Sequence, residues 1–321
     1  MGYGVTISVV IVNFNGARWL SLSLPSLHAQ TLPPTEILVV DNGSSDDSHA
    51  IAQRYDARFL ALGSNRGFAV ANNLGALQAF GDILVFLNND MRFAPTFLAE
   101  LTRPLSDPLT FAADAQQLTL NEGILAHAAT RLNHRGFVRS LTSLGIDIEQ
   151  YATGDITTVL QACAANMAVR REVFLDLGGF DARLPAGWED TEICWRAALK
   201  GLRSVYVPTA LCWHKISATS ATEPGRTLRY RGDVGGRLLF ATKHLPFEMA
   251  LLLWGSTILK TVAEAAVGRW QSARRHLMVL REFGSFIPAL IWERCCLYSA
   301  AKRSPRQHLE TLLKIGKPVG A

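Results

Sequence analysis

The sequence predicts an α/β protein: a doubly wound, mostly parallel sheet followed by a helical C-terminal extension. Three observations predict it. Ile7–Val12, Glu36–Val40 and Asp82–Leu87 are mostly apolar, β-branched runs. Such runs suit strands buried on both faces, the pattern of a parallel sheet. Helix-like segments lie between them, giving a β-α-β-α-β order. Each run also ends in a polar cluster: Asn13-Phe14-Asn15-Gly16, Asp41-Asn42-Gly43-Ser44-Ser45-Asp46 and Asn88-Asn89-Asp90. Ligands of open parallel sheets bind beyond the carboxyl ends of the strands, so all three clusters should converge on one edge. Short acidic and amide side chains there suit a hydrated divalent cation and a nucleotide.

Along the chain, Ala17–His28 reads as a helix that Pro25 should kink or interrupt. Ser44 and Asp47 have the spacing of a capping box and start a helix to about Tyr55. Phe59–Leu62 is a short strand, Gly67–Phe80 a helix, and Pro95–Leu101 begins another helix. Residues 105–160 are less regular, with Asn133-His134-Arg135-Gly136 and Gly154-Asp155 as turn punctuation. Thr157–Val169 reads as a strand pair. Arg170–Leu177 is a short helix stopped by Gly178-Gly179. Phe180–Gly187 is a loop, and Trp188–Lys200 is a helix closed by Gly201. Arg203–Val207 is a strand that Pro208 ends, and beyond Glu223 the pattern is helical to about Ala301.

The 321 residues can hold one large domain or two small ones, and 49% of them are apolar. Charge divides the chain into 1–225 and 226–321. The first part has 16 basic and 21 acidic residues, net −5; the second has 16 and 6, net +10. A basic tail of this kind faces nucleic acid or an anionic membrane. No nucleic-acid-binding motif accompanies the charge, so a membrane surface is expected and nucleic acid is not. Met249–Leu259 carries no charge but is short of the roughly 20 residues of a spanning helix, so it should lie in the surface rather than cross it. An ordinary core helix with a solvated basic face is the bland alternative. The five cysteines are odd in number and lack C-x-x-C spacing, which points to reduced thiols. With no signal-like N-terminal segment, the expected location is cytoplasmic, peripheral on the inner face of the plasma membrane.

Each cluster has a chemical reading and a plain one. Asn88-Asn89-Asp90 can offer oxygen ligands to a hard cation, or simply form a turn. Asp41 can accept the imide N–H of a uracil or thymine. Ser44 and Asp46 suit capping of the next helix, but Asp41 lies before that cap. Glu189 and Asp190 open a helix, where carboxylates favour the dipole; a positioned carboxylate is equally a general base. His214, in Cys212-Trp213-His214, is a metal ligand, a phosphate contact or a structural histidine.

In this order the segments resemble the inverting nucleotide-sugar glycosyltransferases of family 2. The matching stretches are Ser8-Val9-Val10-Ile11-Val12-Asn13-Phe14-Asn15-Gly16, Val39 to Asp46, Asn65-Arg66-Gly67-Phe68-Ala69, Leu87-Asn88-Asn89-Asp90 and Glu189-Asp190-Thr191-Glu192. The likeness covers roughly residues 5–215. Asn65 to Asn73, and Arg229-Tyr230-Arg231 at the start of the tail, look most like the rhamnosyltransferase branch. The resemblance implies a GT-A, Rossmann-like fold and assigns roles by position. Asp41 would bind the base, Asn13 would line the base and ribose pocket, and Asn65 and Gly67 would shape the wall near ribose and diphosphate. Asn88-Asn89-Asp90 matches the family's Asp-x-Asp motif, with Asp90 holding Mn2+ or Mg2+. Asn88 replaces the first acid, which should weaken metal binding. Asp190 matches the catalytic base, with Glu189 beside it, and His214 falls where relatives place a further metal ligand. The implied donor is dTDP-L-rhamnose, then UDP-hexose. The implied acceptor is a glycan or polyprenyl-linked glycan, in cell-surface polysaccharide synthesis.

Three other readings compete. A sugar nucleotidyltransferase shares the α/β nucleotide fold and the metal, but Asn13-Phe14-Asn15-Gly16 is not its glycine- and basic-rich phosphate loop. A non-catalytic, membrane-associated assembly partner would have no need of Asp41, Asp90 and Asp190 together. A glycoside hydrolase fits less well, because adjacent Glu189 and Asp190 do not obviously flank a glycosidic bond.

Overall fold

The computed structural model describes residues 5–121, 123–132, 138–140, 154–184, 187–215 and 232–314. Contacts group the chain into two units. The first comprises residues 1–182, 189–218 and 315–321, and the second residues 183–188 and 219–314. The expected turn at Asn133–Gly136, the Pro185-Ala186 part of the loop, and Arg229-Tyr230-Arg231 lie outside the described residues.

The first unit is built on β1 (Ile7–Asn13), β2 (Glu36–Asp41), β3 (Arg58–Ala61) and β4 (Ile83–Asn88), parallel in the order β3-β2-β1-β4. Alternate residues feed two cores, as expected of strands covered on both faces. Val9, Ile11, Val39, Val85 and Leu87 pack with Leu20, Leu24 and Leu27 of α1 (Ala17–His28). Val10, Leu38, Val40, Leu84 and Phe86 pack with Ala69, Ala71 and Ala76 of α3 (Phe68–Gln78). Gly75 lets α3 sit close: a methyl there would lie 2.5 Å from Val10 Cγ1.

The sheet continues past β4 with mixed sense. β11 (Asn166–Arg170) runs antiparallel between β4 and β6 (Thr110–Thr119). β12 (Arg203–His214) runs parallel to β6, and β10 (Thr157–Val159) pairs with β12 at the edge. β5 (Met91–Phe93) pairs with the end of β12, and β7 (Leu125–His127) with β6. Thus the carboxyl ends of β1, β2, β4, β6 and β12 and the amino end of β11 share one edge.

Several local expectations are corrected. Pro25 does not interrupt α1, which runs through it. Proline removes one helical N–H, and the buried Leu20, Leu24 and Leu27 face offsets that loss. The helix after β2 is α2 (Ser48–Arg54), with no side-chain cap from Asp47; Ser44 is engaged elsewhere. Thr157–Val169 is not a strand pair, since β10 and β11 pair with different strands. β6 was not anticipated: Ala112, Ala113, Asp114, Gln116 and Gln117 supply little β-propensity, and position in the sheet prevails. Pro208 does not end its strand. The register slips between Val207 and Leu211, and the proline sits in that irregularity, where no ladder N–H is needed.

After β11 come the short α5 (Arg171–Asp176), ended by Gly178 and Gly179 at φ 82° and 69°, and α6 (Glu189–Leu199). Within α6, buried Glu192 pairs with Arg196 at 2.6 Å, and Arg196 also donates to Leu177 O and, at 2.7 Å, to Gly179 O. The α5–α6 connection is thereby tied to the helix.

The second unit is helical: α7 (Arg237–His244), α8 (Phe247–Ala266), α9 (Trp270–Gly284), α10 (Ile287–Ala300) and α11 (Pro305–Leu312). Its core joins Leu238, Leu239, Val279, Phe283 and Leu290 to Leu184. Trp188 stacks on Phe240 at 5.3 Å, and Arg183 binds Glu293 through two nitrogens at 2.8 and 2.7 Å. A methyl on Gly236 would lie 2.3 Å from Trp188 Cδ1. Ser304 and Gln307 form a capping box that starts α11. The apolar run around Met249–Leu259 belongs to a longer helix, α8, whose 20 residues are long and apolar enough to cross a membrane by length and composition alone.

Candidate active site

Three strand ends are joined by one hydrogen-bonded chain. Asn13, at the end of β1, donates through Nδ2 to Asp41 Oδ1 at 3.0 Å and to Ser48 Oγ at 2.9 Å. Its Oδ1 accepts from Asn89 Nδ2 at 2.7 Å. Asn13 and Asp41 are buried, so each contact replaces lost hydration. Asp41 also accepts from the Ser44 hydroxyl and from the backbone N–H groups of Gly43 at 3.2 Å and Ser44 at 2.8 Å. A carboxylate has about four lone-pair sites, and all are used. Asp41 therefore organises its own turn as well as facing the site. Gly43 adopts φ 87°, and a methyl there would be 2.8 Å from Ser64 Cα.

The wall expected from Asn65 and Gly67 is held by Asn42. Asn42 Oδ1 accepts from Arg66 N at 3.0 Å, and Asn65 Oδ1 accepts from Gly67 N at 3.0 Å. Gly67 then opens α3 at φ 87°. Asn42 lies inside the second polar cluster, but sequence reasoning gave it no role.

Asn88, Asp90 and His214 meet at the end of β4. His214 Nε2 lies 3.0 Å from Asp90 Oδ1 and 3.4 Å from Asn88 Nδ2. Two strand pairings set this. His214 is in register with Met91, and Lys215 N donates to Asp90 O at 3.0 Å. The other ring nitrogen, Nδ1, meets Gln117 Oε1 at 3.0 Å. An imidazole whose Nδ1–H is held by an acyl oxygen presents the Nε2 lone pair. Gln117 was missed because β6 was missed.

A divalent cation fits this pair. Asp90 gives a carboxylate oxygen and His214 an oriented nitrogen, facing each other. Among the described residues no group of three or more His, Cys, Asp or Glu gathers for a metal. A cation here would take two protein ligands and leave the remaining positions to phosphate and water, the arrangement of nucleotide-bound divalent ions.

Asp190 sits in the first turn of α6, 4% exposed. Its Oδ1 accepts from Thr191 N at 2.6 Å and its Oδ2 from Ala164 N at 3.3 Å. The Thr191 hydroxyl in turn donates to Gln161 Oε1. Burial pushes the Asp190 carboxyl above the ordinary aspartate range, against the two amide hydrogen bonds and the charge of His127. The next residue after Ala164 links it to the metal-type pair: Ala165 O accepts from Asn88 N at 3.0 Å. Glu189 is buried beside Asp190. The structure thus gathers Asn13, Asp41 and Asn89 in one network, Asn65 and Gly67 in a second, and Asn88, Asp90 and His214 in a third. Asp190 is fixed to Ala164 in the turn before β11, one residue from the Ala165 carbonyl that meets Asn88.

A family model described as glycosyl transferase family 2 matches residues 8–178. The O-antigen biosynthesis protein RfbC of Myxococcus xanthus is 31% identical over 229 residues, covering 66% of this chain and 17% of that protein. The pre-mycofactocin glycosyltransferase of Mycobacterium tuberculosis is 27% identical over 205 residues, 63% of this chain and 40% of that protein. The chain thus spans less than half the length of these relatives. Among solved structures, the mannosyltransferase PcManGT from Pyrobaculum calidifontis, in complex with GDP-Man and Mn2+, superposes with a TM-score of 0.57 at 18% identity, covering 94% of this chain and 87% of that one. GalNAc-T7 with UDP, GalNAc and Mn2+ gives 0.55 at 19% identity, covering 74% and 51%. These likenesses show a shared fold.

Proposed function

Because the chain belongs to glycosyl transferase family 2 and has the GT-A fold, we propose that it moves a sugar from a nucleoside diphosphate to an acceptor hydroxyl with inversion. The observation that carries this reading is the gathering, at one sheet edge, of the Asn13–Asp41–Asn89 network, the Asp90–His214 pair and buried Asp190. Asp41 and Asn13 receive the base and ribose. The filled lone pairs of Asp41 mean that a base imide must displace one present partner, and the Ser44 hydroxyl is the one free to rotate. The loop at Asn65 and Gly67 lies along the ribose and diphosphate.

Asp90 and His214 would hold Mn2+ or Mg2+. When bound, that cation supplies Lewis-acid neutralisation of the charge growing on the leaving diphosphate. Asp190 takes the proton of the attacking hydroxyl. Burial raises its proton affinity, which brings it nearer to that of an effective base, and the Ala164 and Thr191 amides fix its direction. The hydroxyl oxygen bonds to the anomeric carbon while the bond to the diphosphate breaks on the opposite face. A single displacement inverts the configuration.

The proposed donor is dTDP-L-rhamnose, with UDP-hexoses next, on the resemblance of Asn65–Asn73. The proposed acceptor is a glycan or a polyprenyl-linked glycan of the cell surface; a relative named for O-antigen biosynthesis supports that direction. We place the protein on the inner face of the plasma membrane, held by its basic helical unit.

A panel of nucleotide sugars tested by thermal shift, with and without Mn2+, checks the reading. Metal-dependent stabilisation by one donor is expected, because a ligand bound only by the folded state raises its stability. With that donor, nucleoside diphosphate should be released, and Asp190→Asn should bind it yet lose about a hundredfold or more in turnover. Release of pyrophosphate would indicate nucleotidyl transfer instead, and normal turnover in Asp190→Asn would remove Asp190 as the base.

A further inference from the structure

Behind Asp190 lies a second ionisable pair that no step above uses. Asp114, fully buried in the middle of β6, accepts from His127 Nε2 at 2.8 Å through Oδ2. Its Oδ1 accepts from Cys163 N at 3.1 Å. The next amide along, Ala164 N, is the one that donates to Asp190. Two buried carboxylates are therefore pinned by consecutive backbone N–H groups. The charge of Asp114, held next to it, opposes the ionisation of Asp190. His127 answers both: its ring binds Asp114 directly and attracts Asp190 electrostatically.

We propose that His127, held by Asp114, is the positive counter-charge that keeps Asp190 ionised for proton abstraction, and so is a positioning residue for glycosyl transfer. The proposal rests on the reading of Asp190 as the base.

On β6 and β7 stand Asp114 and His127 themselves. Burial, the largest influence on Cys163, raises its thiol well above the ordinary range, and burial pushes Cys194 on α6 up to about 12, so both stay neutral. The thiol of Cys212 on β12 is likewise raised by burial. On α6, Glu192 is matched by Arg196, and Glu189 adjoins the base. Burial alone would favour neutral His127, but the charge and hydrogen bond of Asp114 and the charge of Asp190 prevail and raise it. His127 therefore keeps its positive charge to higher pH than an ordinary imidazole.

Asp190 works only when ionised, so turnover falls as pH drops through its proton affinity. Removing the positive charge raises that affinity further and moves the acidic limb of kcat to higher pH. In His127→Gln the limb should rise by about one unit, so that turnover below it falls about tenfold, with KM for the donor unchanged. A limb that stays in place, or a KM change alone, overturns the proposal. A second measurement needs neither activity nor that variant. The His127 ring signal is titrated by NMR in the intact protein and in Asp190→Asn. Its midpoint should fall when the Asp190 charge is removed; an unchanged midpoint means that the two groups are uncoupled and overturns the proposal. If the intact protein transfers no sugar, the base reading fails separately, while the NMR titration still decides the coupling.

Discussion

A methyl group on Gly16 would sit 2.1 Å from Asn89 Nδ2 and 2.3 Å from Asn13 Oδ1. The backbone there has φ −116°, open to any residue, so the constraint is the space needed by the Asn13–Asn89 hydrogen bond. Gly16→Ala should therefore fold with little change in melting temperature. It should bind the nucleotide-sugar donor about tenfold more weakly, the equivalent of one lost hydrogen bond of ~1.4 kcal/mol. Calorimetric titration checks this; unchanged affinity would mean that the network does not shape the donor pocket. At this scale the sequence was most legible where a polar residue closes an apolar strand. Asn13, Asp41 and Asp90 declared themselves in that way. Gln117, Asp114 and His127 did not, because they lie on β6 and β7, which lack a hydrophobic alternation to announce them. Asn42 shared a motif with Asp41 and was hidden by it.

Strand β12 shows how an element can set a site. Between Val207 and Leu211 it advances four residues while β6 advances from Ala115 to Gln116. The extra length turns the last residues so that His214 faces Asp90 and Gln117. Because side chains alternate along a strand, removing one residue from this stretch turns the remainder to the opposite face. Deletion of Thr209, which is exposed, should preserve the sheet by circular dichroism and abolish the Mn2+-dependent part of donor stabilisation. Retention of the Mn2+ effect would remove His214 from the proposed metal site. The parallel half of the sheet was readable within about a residue at most ends because its strands are buried on both faces. The other half was not. Pro208 looked like a terminator, and whether a proline ends a strand or sits in a bulge depends on which neighbour the strand finds.

For the whole molecule, the charge division pointed to a distinct basic tail, and the structure gives that region its own helical core. What periodicity could not show was how much apolar surface the helices leave outside it. Leu252, Leu259 and Val262 of α8 are 72%, 71% and 62% exposed, and Trp270 of α9 and Trp292 of α10 are 64% and 72% exposed. Exposed aromatic and aliphatic side chains beside Arg274, Arg275 and Arg281 of α9 suit an anionic lipid interface, where tryptophan sits at the headgroups. The full chain should sediment with vesicles containing anionic lipid at low salt, and release as salt screens the charge. Failure to sediment at low salt would leave the tail a structural role only.

The six residues from Arg183 to Trp188 belong to the helical unit, although Glu189 and Asp190 follow them directly in the chain. Leu184 is part of the helical core and Trp188 rests on Phe240. The tail is therefore not a detachable cassette. Exchanging it for the tail of a relative would mean rewriting a stretch that interrupts the sequence of the first unit as well. Chimeras joined at a single point near residue 220 should inherit a helical core mismatched at Leu184 and Trp188, residues that precede Glu189 and Asp190 in the chain. In such a lineage residues 183–188 and the tail would have to diversify together rather than be traded as parts.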